Sequence, residues 1–149
     1  MMKLNKKLLL LILFGAILSA NGQEWNTNFE KAKIKATKNN RNIVLVFQGS
    51  DWCVPCIKLD KEIWSTEEFQ NYAKDRFVML RADFPRKKKN KLSEEQQNQN
   101  NHLAEHYNRN GFFPFVVVLD KNGKVLGETS YIRKSTPSEY IKLLESFKD

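Results

Sequence analysis

The sequence predicts an α/β fold, with a central mixed β-sheet and helices on both faces. Three observations carry that expectation. Apolar, β-branched runs alternate with helix-type segments along the chain. Four segments carry a Ser or Thr followed three residues on by Glu or Gln: Thr27-x-x-Glu30, Ser65-x-x-Glu68, Ser93-x-x-Gln96 and Thr136-x-x-Glu139. In that pattern the two side chains cap each other's backbone amides at a helix start. Finally, Asn122-Gly123 between the last two apolar runs marks a hairpin.

Taken in order, the first element is a leader. Met1–Lys7 is short and cationic, Leu8–Leu18 is apolar apart from Gly15, and Ala20-Asn21-Gly22 supplies small residues before Gln23. These are the three parts of a secretory signal peptide, cut after Gly22. The apolar run is about half the ~20 residues that a membrane-spanning helix needs. No cysteine stands at the cleavage point to carry a lipid. The expectation is therefore a leader over residues 1–22, then one domain over 23–149 that is periplasmic or secreted, with no stable membrane insertion. Helices follow from about Asn28 to Lys38, from near Val54, and over Thr66–Lys74, Glu94–Tyr107 and Pro137–Phe147. Pro137 suits a first helical position, where its missing N–H costs nothing. Strands are expected at Ile43–Phe47, Phe77–Leu80, Phe115–Leu119 and Lys124–Ser130.

The chain carries 25 Lys and Arg against 17 Asp and Glu, a formal charge of +8. Three of the cations (Lys3, Lys6, Lys7) precede the apolar run of the leader, and five more (Arg86, Lys87, Lys88, Lys89, Lys91) fall within six residues. The remainder is balanced. A nucleic-acid surface would spread cations along a face and interleave them with stacking aromatics, so nucleic acid is not an expected partner. The basic segment reads as a solvated loop, or as a docking patch for an acidic partner.

The chemistry concentrates at Trp52-Cys53-Val54-Pro55-Cys56, which follows a β-branched run and opens a helix. Two residues between cysteines at a helix start bring the sulfurs within bonding reach. The free amides of the first turn and the helix dipole favour a thiolate on the first cysteine. Cys53 would then attack a substrate disulfide, and Cys56 would resolve the mixed disulfide. Pro55 stiffens the turn. A c-type haem site needs His after the second cysteine, where Ile57 stands. Zinc needs four ligands, and there is no second cysteine pair. A purely structural disulfide across so small a loop adds little stability. No metal or cofactor is expected. His102 and His106 stand four apart, but Leu103, Ala104 and Tyr107 supply the apolar face, which turns the histidines outward.

Two stretches resemble the thioredoxin-like family. Ser50-Asp51-Trp52-Cys53-Val54-Pro55-Cys56 is similar to its active-site segment. Gly111-Phe112-Phe113-Pro114-Phe115, continuing through Asp120-Lys121-Asn122-Gly123, is similar to its cis-proline strand and hairpin. The closest branch is the exported one, with an extra N-terminal helix; here there is also an insertion at Arg86–Gln99, before the cis-proline strand. The resemblance implies a thioredoxin-like fold and a thiol–disulfide oxidoreductase without bound cofactor. It implies Cys53 as nucleophile, Cys56 as resolving thiol and Pro114 as a cis-proline. Phe113 would offer its backbone to an extended substrate, and Trp52 would shield the thiolate.

Thioredoxin itself has a buried Asp six residues before its first cysteine, where Phe47 stands here, and a lysine partner at the position of Met79. Both are apolar, which leaves solvent or Lys58 to take the proton of Cys56. Val54-Pro55 brings no charge or His to stabilise the thiolate strongly, which favours the reducing direction. Expected partners are protein disulfides and a redox partner, with the chain a monomer. Two rivals from other classes are a redox-silent binding module that uses the Phe113-Pro114 groove, and a thiolate carrier of copper or zinc.

Overall fold

Runs of Val, Ile, Leu and Phe too apolar for a sheet with a wet face imply strands covered on both sides. The computed structural model, which describes residues 23–148, has five strands. They are β1 (Trp25–Asn26), β2 (Asn42–Gln48), β3 (Phe77–Asp83), β4 (Phe115–Leu119) and β5 (Val125–Thr129), in the order β1-β3-β2-β4-β5. Strands β1 and β2 lie parallel to β3, whereas β4 is antiparallel to β2 and β5 to β4. The expected leader and its cut after Gly22 lie outside the described residues.

Five α-helices cover the sheet: α1 (Phe29–Asn39), α2 (Val54–Leu59), α3 (Glu67–Arg76), α4 (Glu94–Tyr107) and α5 (Pro137–Ser146). Alternation along the strands divides the core. Val44, Val46, Met79, Val116 and Val118 face α2, α3 and α5, around Trp64, Phe69 and Tyr140. Ile43, Leu45, Phe47, Val78, Leu80, Val117 and Leu119 face α1 and α4, around Ala32, Ala36 and Leu103. A mixed sheet with helices on both faces is thus the observed architecture, including the extra N-terminal helix. Phe77, like Trp64 and Phe69, is core.

Several local expectations are corrected. Strand β1 was not expected, because two residues carry no periodicity. It forms because Trp25 and Asn26 pair with Met79 and Leu80, and Asn26 Nδ2 donates to the Met79 carbonyl at 3.0 Å. Only one of the four capping patterns caps a helix reciprocally as read, and a second does so on one side only. Thr136 and Glu139 cap α5 reciprocally, and Ser93 accepts from the Gln96 amide at 3.2 Å. For α1 the cap is Asn28 rather than Thr27, and for α3 it is Thr66 rather than Ser65. In both, a competent capping side chain one residue later takes the position. Ile57 stands at helical spacing from Ile63 and Trp64, yet it is exposed while Cys56 and Leu59 turn inward. The helix continues as a π-helical turn, Asp60–Trp64, which re-aims Ile63 and Trp64 into the core. The hairpin loop is five residues, organised by Asp120, whose side chain accepts from the amides of Asn122 and Lys124. Gly123 takes the positive φ of 90° that the turn requires.

Candidate active site

Strand β2 ends where the chain must turn sharply into α2, and the residues of that turn are individually tied down. Ser50 donates to the Asp83 carboxylate through its amide at 2.9 Å and its hydroxyl at 2.6 Å. The Asp51 carboxylate accepts from the amides of Arg86 (2.9 Å) and Lys87 (3.0 Å) and from Asn90 Nδ2 (2.9 Å). Trp52 Nε1 donates to the Phe84 carbonyl at 2.7 Å. Three consecutive side chains therefore stitch the turn to residues 83–90. Those amide donors hold the Asp51 carboxyl below the usual carboxylate range, the Arg86 amide contributing most and Asn90 next. Gly49 makes room for Trp52: a Cβ there would stand 2.2 Å from the indole.

Cys53 and Cys56 are joined as a disulfide, and each is only 4% exposed. Cys53 is the N-cap of α2, and its Sγ accepts from the Cys56 amide at 3.3 Å. Pro55 sits in the first helical turn, where no hydrogen bond is lost. Trp52 stands edge-on to Phe113, with ring centroids 5.6 Å apart, and Phe113 in turn contacts Phe84 at 5.4 Å. The Phe113-Pro114 peptide is cis, as expected. Its approach is fixed from both sides. Buried Asn108 accepts from the Phe112 amide and donates to the Phe112 carbonyl, and Ser130 Oγ donates to the Pro114 carbonyl at 2.6 Å. Phe113 lies just outside β4, and its main-chain groups take no part in the turn and loop hydrogen bonding of the described residues. All six residues singled out from the sequence (Trp52, Cys53, Pro55, Cys56, Phe113, Pro114) fall in this one region.

Behind Cys56 lies a cleft of about 180 Å³, lined by Gln48, Ser50, Cys56, Ile57, Asp60 and Arg81. The Arg81 guanidinium lies 4.3 Å from the centroid of Trp25 and 3.9 Å from Asp60 Oδ1. Its Nε is buried and makes no hydrogen bond among the described residues. Burial pulls Arg81 below its ordinary pKa, against the pull of Asp60 and Asp83, yet guanidinium remains a cation at any working pH. Sequence reasoning missed both Arg81 and Asp60. The available signal was Arg81 itself, a single cation inside an apolar strand at the same side-chain parity as Met79. Lys58, named earlier as a proton acceptor, is exposed and absent from this cleft.

The remaining candidates are placed elsewhere. His102 and His106 are exposed on α4, and no cluster of potential metal ligands occurs among the described residues. Tyr131, which follows the hairpin, donates to Glu62 at 2.8 Å and packs against the core. Among the described residues, no helix is long and apolar enough to cross a membrane.

A sheet of this order, with a CxxC disulfide at the start of α2 beside a cis-proline turn, defines a class: the thiol–disulfide oxidoreductases. The chain belongs to the thioredoxin-like family, whose model matches residues 24–121. It is 33% identical over 114 residues to "Disulfide bond reductase DsbH" of Chlamydia pneumoniae, a match covering 76% of this chain and 66% of that relative's length. A solved structure titled "DsbH Oxidoreductase" superposes with a TM-score of 0.77 at 30% identity, covering 88% of both chains. A thioredoxin from Thermus thermophilus shares the fold at 18% identity, with a TM-score of 0.62 over 84% of this chain and 86% of its own.

Proposed function

We propose that the chain is an exported disulfide reductase acting on protein substrates, with Cys53 as attacking thiolate and Cys56 as resolving thiol. One observation carries the assignment of roles: Cys53 caps α2, and its sulfur accepts the Cys56 amide. That donor and the helix dipole favour a thiolate at Cys53 over one at Cys56. In the reduced protein, Cys53 S⁻ attacks one sulfur of a substrate disulfide and expels the other as a thiolate. Cys56 then loses its proton and attacks Cys53 Sγ. The Cys53–Cys56 disulfide forms, the second substrate thiolate leaves, and two electrons have passed to the substrate. Renewal of the dithiol requires an upstream dithiol donor.

Arg81 bears on the second step. Its cation shares the cleft with Cys56 and favours the Cys56 thiolate, while Asp60 offers a carboxylate to take the proton. Around the mouth, exposed Val54 (61%), Ile57 (48%) and Phe112 (55%) present apolar surface to an extended segment, and Phe113 offers its main chain for a short β-pairing. Export is supported by the leader-type sequence of residues 1–22, a cationic start followed by an apolar run. The reducing direction is supported by the uncharged Val54-Pro55 pair and by the likeness to a Chlamydia pneumoniae disulfide bond reductase.

The test is the reduction potential of the Cys53–Cys56 couple in a glutathione buffer, with turnover of a protein disulfide in the presence of a dithiol. A reductase has a potential near that of thioredoxin, about −270 mV. A potential near −120 mV would reassign it as an oxidant. Absence of turnover would remove the redox reading.

A further inference from the structure

The formal charge of this chain resides in two places only. Without the leader's three cations, all the excess falls on Arg86, Lys87, Lys88, Lys89 and Lys91. A free solvated loop would carry these charges anywhere. Here the segment is anchored through the three hydrogen bonds to Asp51, two residues before the nucleophile. The Arg86 guanidinium lies 3.7 Å from the centroid of Trp52, the neighbour of Cys53. Residues Lys88–Asn90 form a 3₁₀ turn closed by the Asn90 amide bonding to the Lys87 carbonyl. The cations are therefore held at one rim of the reacting groove, against the wall made by Trp52, Phe84 and Phe113.

Of the four lysines, only Lys87 faces a carboxylate, its charge acting on Asp51. Lys87, Lys88, Lys89 and Lys91 are exposed, and none is in an ion pair among the described residues. Asp51 directs its oxygens to two backbone amides and Asn90, and Asp83 directs its own to Ser50. Glu94 and Glu95 follow in the first turn of α4, where negative charge complements the helix N-terminus. Lys88, Lys89 and Lys91, with Lys87 partly balanced by Asp51, create beside a mouth that admits an extended chain a field that concentrates anions there. The molecule meeting that field at the moment of reaction is the disulfide-bearing substrate itself.

We infer that Arg86–Lys91 is a substrate-selecting rim, and that the substrates are protein disulfides flanked by acidic residues. This rests on the redox reading above and adds the substrate's charge to it. The rim acts on encounter and orientation rather than on bond exchange, so it raises kcat/KM for acidic substrates and leaves neutral ones unchanged.

The test uses the purified chain and three synthetic peptides sharing one disulfide loop, flanked by four Asp, four Asn or four Lys. At low salt the Asp peptide should be reduced about 10-fold faster in kcat/KM than the Asn peptide, and the Lys peptide more slowly. The advantage should fade as ionic strength rises towards about 0.5 M. In the combined variant Lys87→Gln, Lys88→Gln, Lys89→Gln and Lys91→Gln, it should vanish while Asn-peptide turnover is retained. Replacing the same four lysines with Glu should reverse the order, and replacing them with Arg should keep it. Equal rates for Asp and Asn peptides with wild-type protein would overturn the inference while leaving the reductase intact. If anionic phospholipid vesicles retain wild type but not the Gln variant while peptide rates stay equal, the rim serves a membrane surface and the inference also fails. If no peptide is reduced, the redox reading fails first.

Discussion

Cys53 and Cys56 are equally buried, yet they face different surroundings. Cys53 lies on the side of Trp52, Phe113 and the basic segment, where aromatic walls and exposed apolar residues meet solvent. Cys56 lines a small polar cleft with Arg81, Asp60 and Gln48. The difference teaches that exposure alone does not assign roles in a dithiol pair. What separates the two is their surroundings: Cys53 caps α2 beside Trp52, and Cys56 shares a cleft with a cation.

The largest break in that comparison is Cys53→Ser, which should lower turnover of a protein disulfide by about 10³-fold or more, measured by single-turnover thiol release. On the inward side, Arg81→Met removes the cation from the cleft. Resolution by Cys56 should slow about 10-fold near neutrality and recover at alkaline pH. A uniform loss at every pH would assign Arg81 to packing alone. On the outward side, Gly49→Ala drives a Cβ into the Trp52 indole, with an expected cost of about 1–3 kcal/mol in denaturant unfolding. Its resolution step should be unaffected once allowance is made for folding.

The smallest effect concerns Asp51. Its carboxyl titrates below the usual range because the Arg86 amide, then Asn90, bond its anion. A folded value below the unfolded one means the anchorage is complete above about pH 4 and is lost as pH falls through the folded value. Amide exchange at Arg86 and Lys87 should therefore accelerate as acid is added. In Asp51→Asn it should be faster throughout and insensitive to acid over that range.

Much of this was legible in the residues themselves. The CxxC at a strand-to-helix turn, Phe113-Pro114 and the Asn122-Gly123 hairpin each carry their meaning within a few positions. The helices α4 and α5 announce their starts through Ser93 and Thr136. What was not legible depends on distance in sequence. Asp51 reads as one more charged turn residue until Arg86, Lys87 and Asn90 are brought to it. Arg81, one residue past the expected strand end, reads as an ordinary charged residue until Cys56 and Asp60 are brought beside it. Ile57 shares helical spacing with Ile63 and Trp64 but not their burial, because a π-helical turn at Asp60–Trp64 breaks that spacing.

The roles of the two cysteines are tested most directly by trapping. Cys56→Ser protein is reduced, mixed with a disulfide-bonded protein substrate, quenched with acid and digested for mass spectrometry. A mixed disulfide through Cys53 should accumulate, and Cys53→Ser protein should form none through Cys56. An adduct at Cys56 in the Cys53→Ser protein, with none at Cys53 in its counterpart, would reverse the assignment.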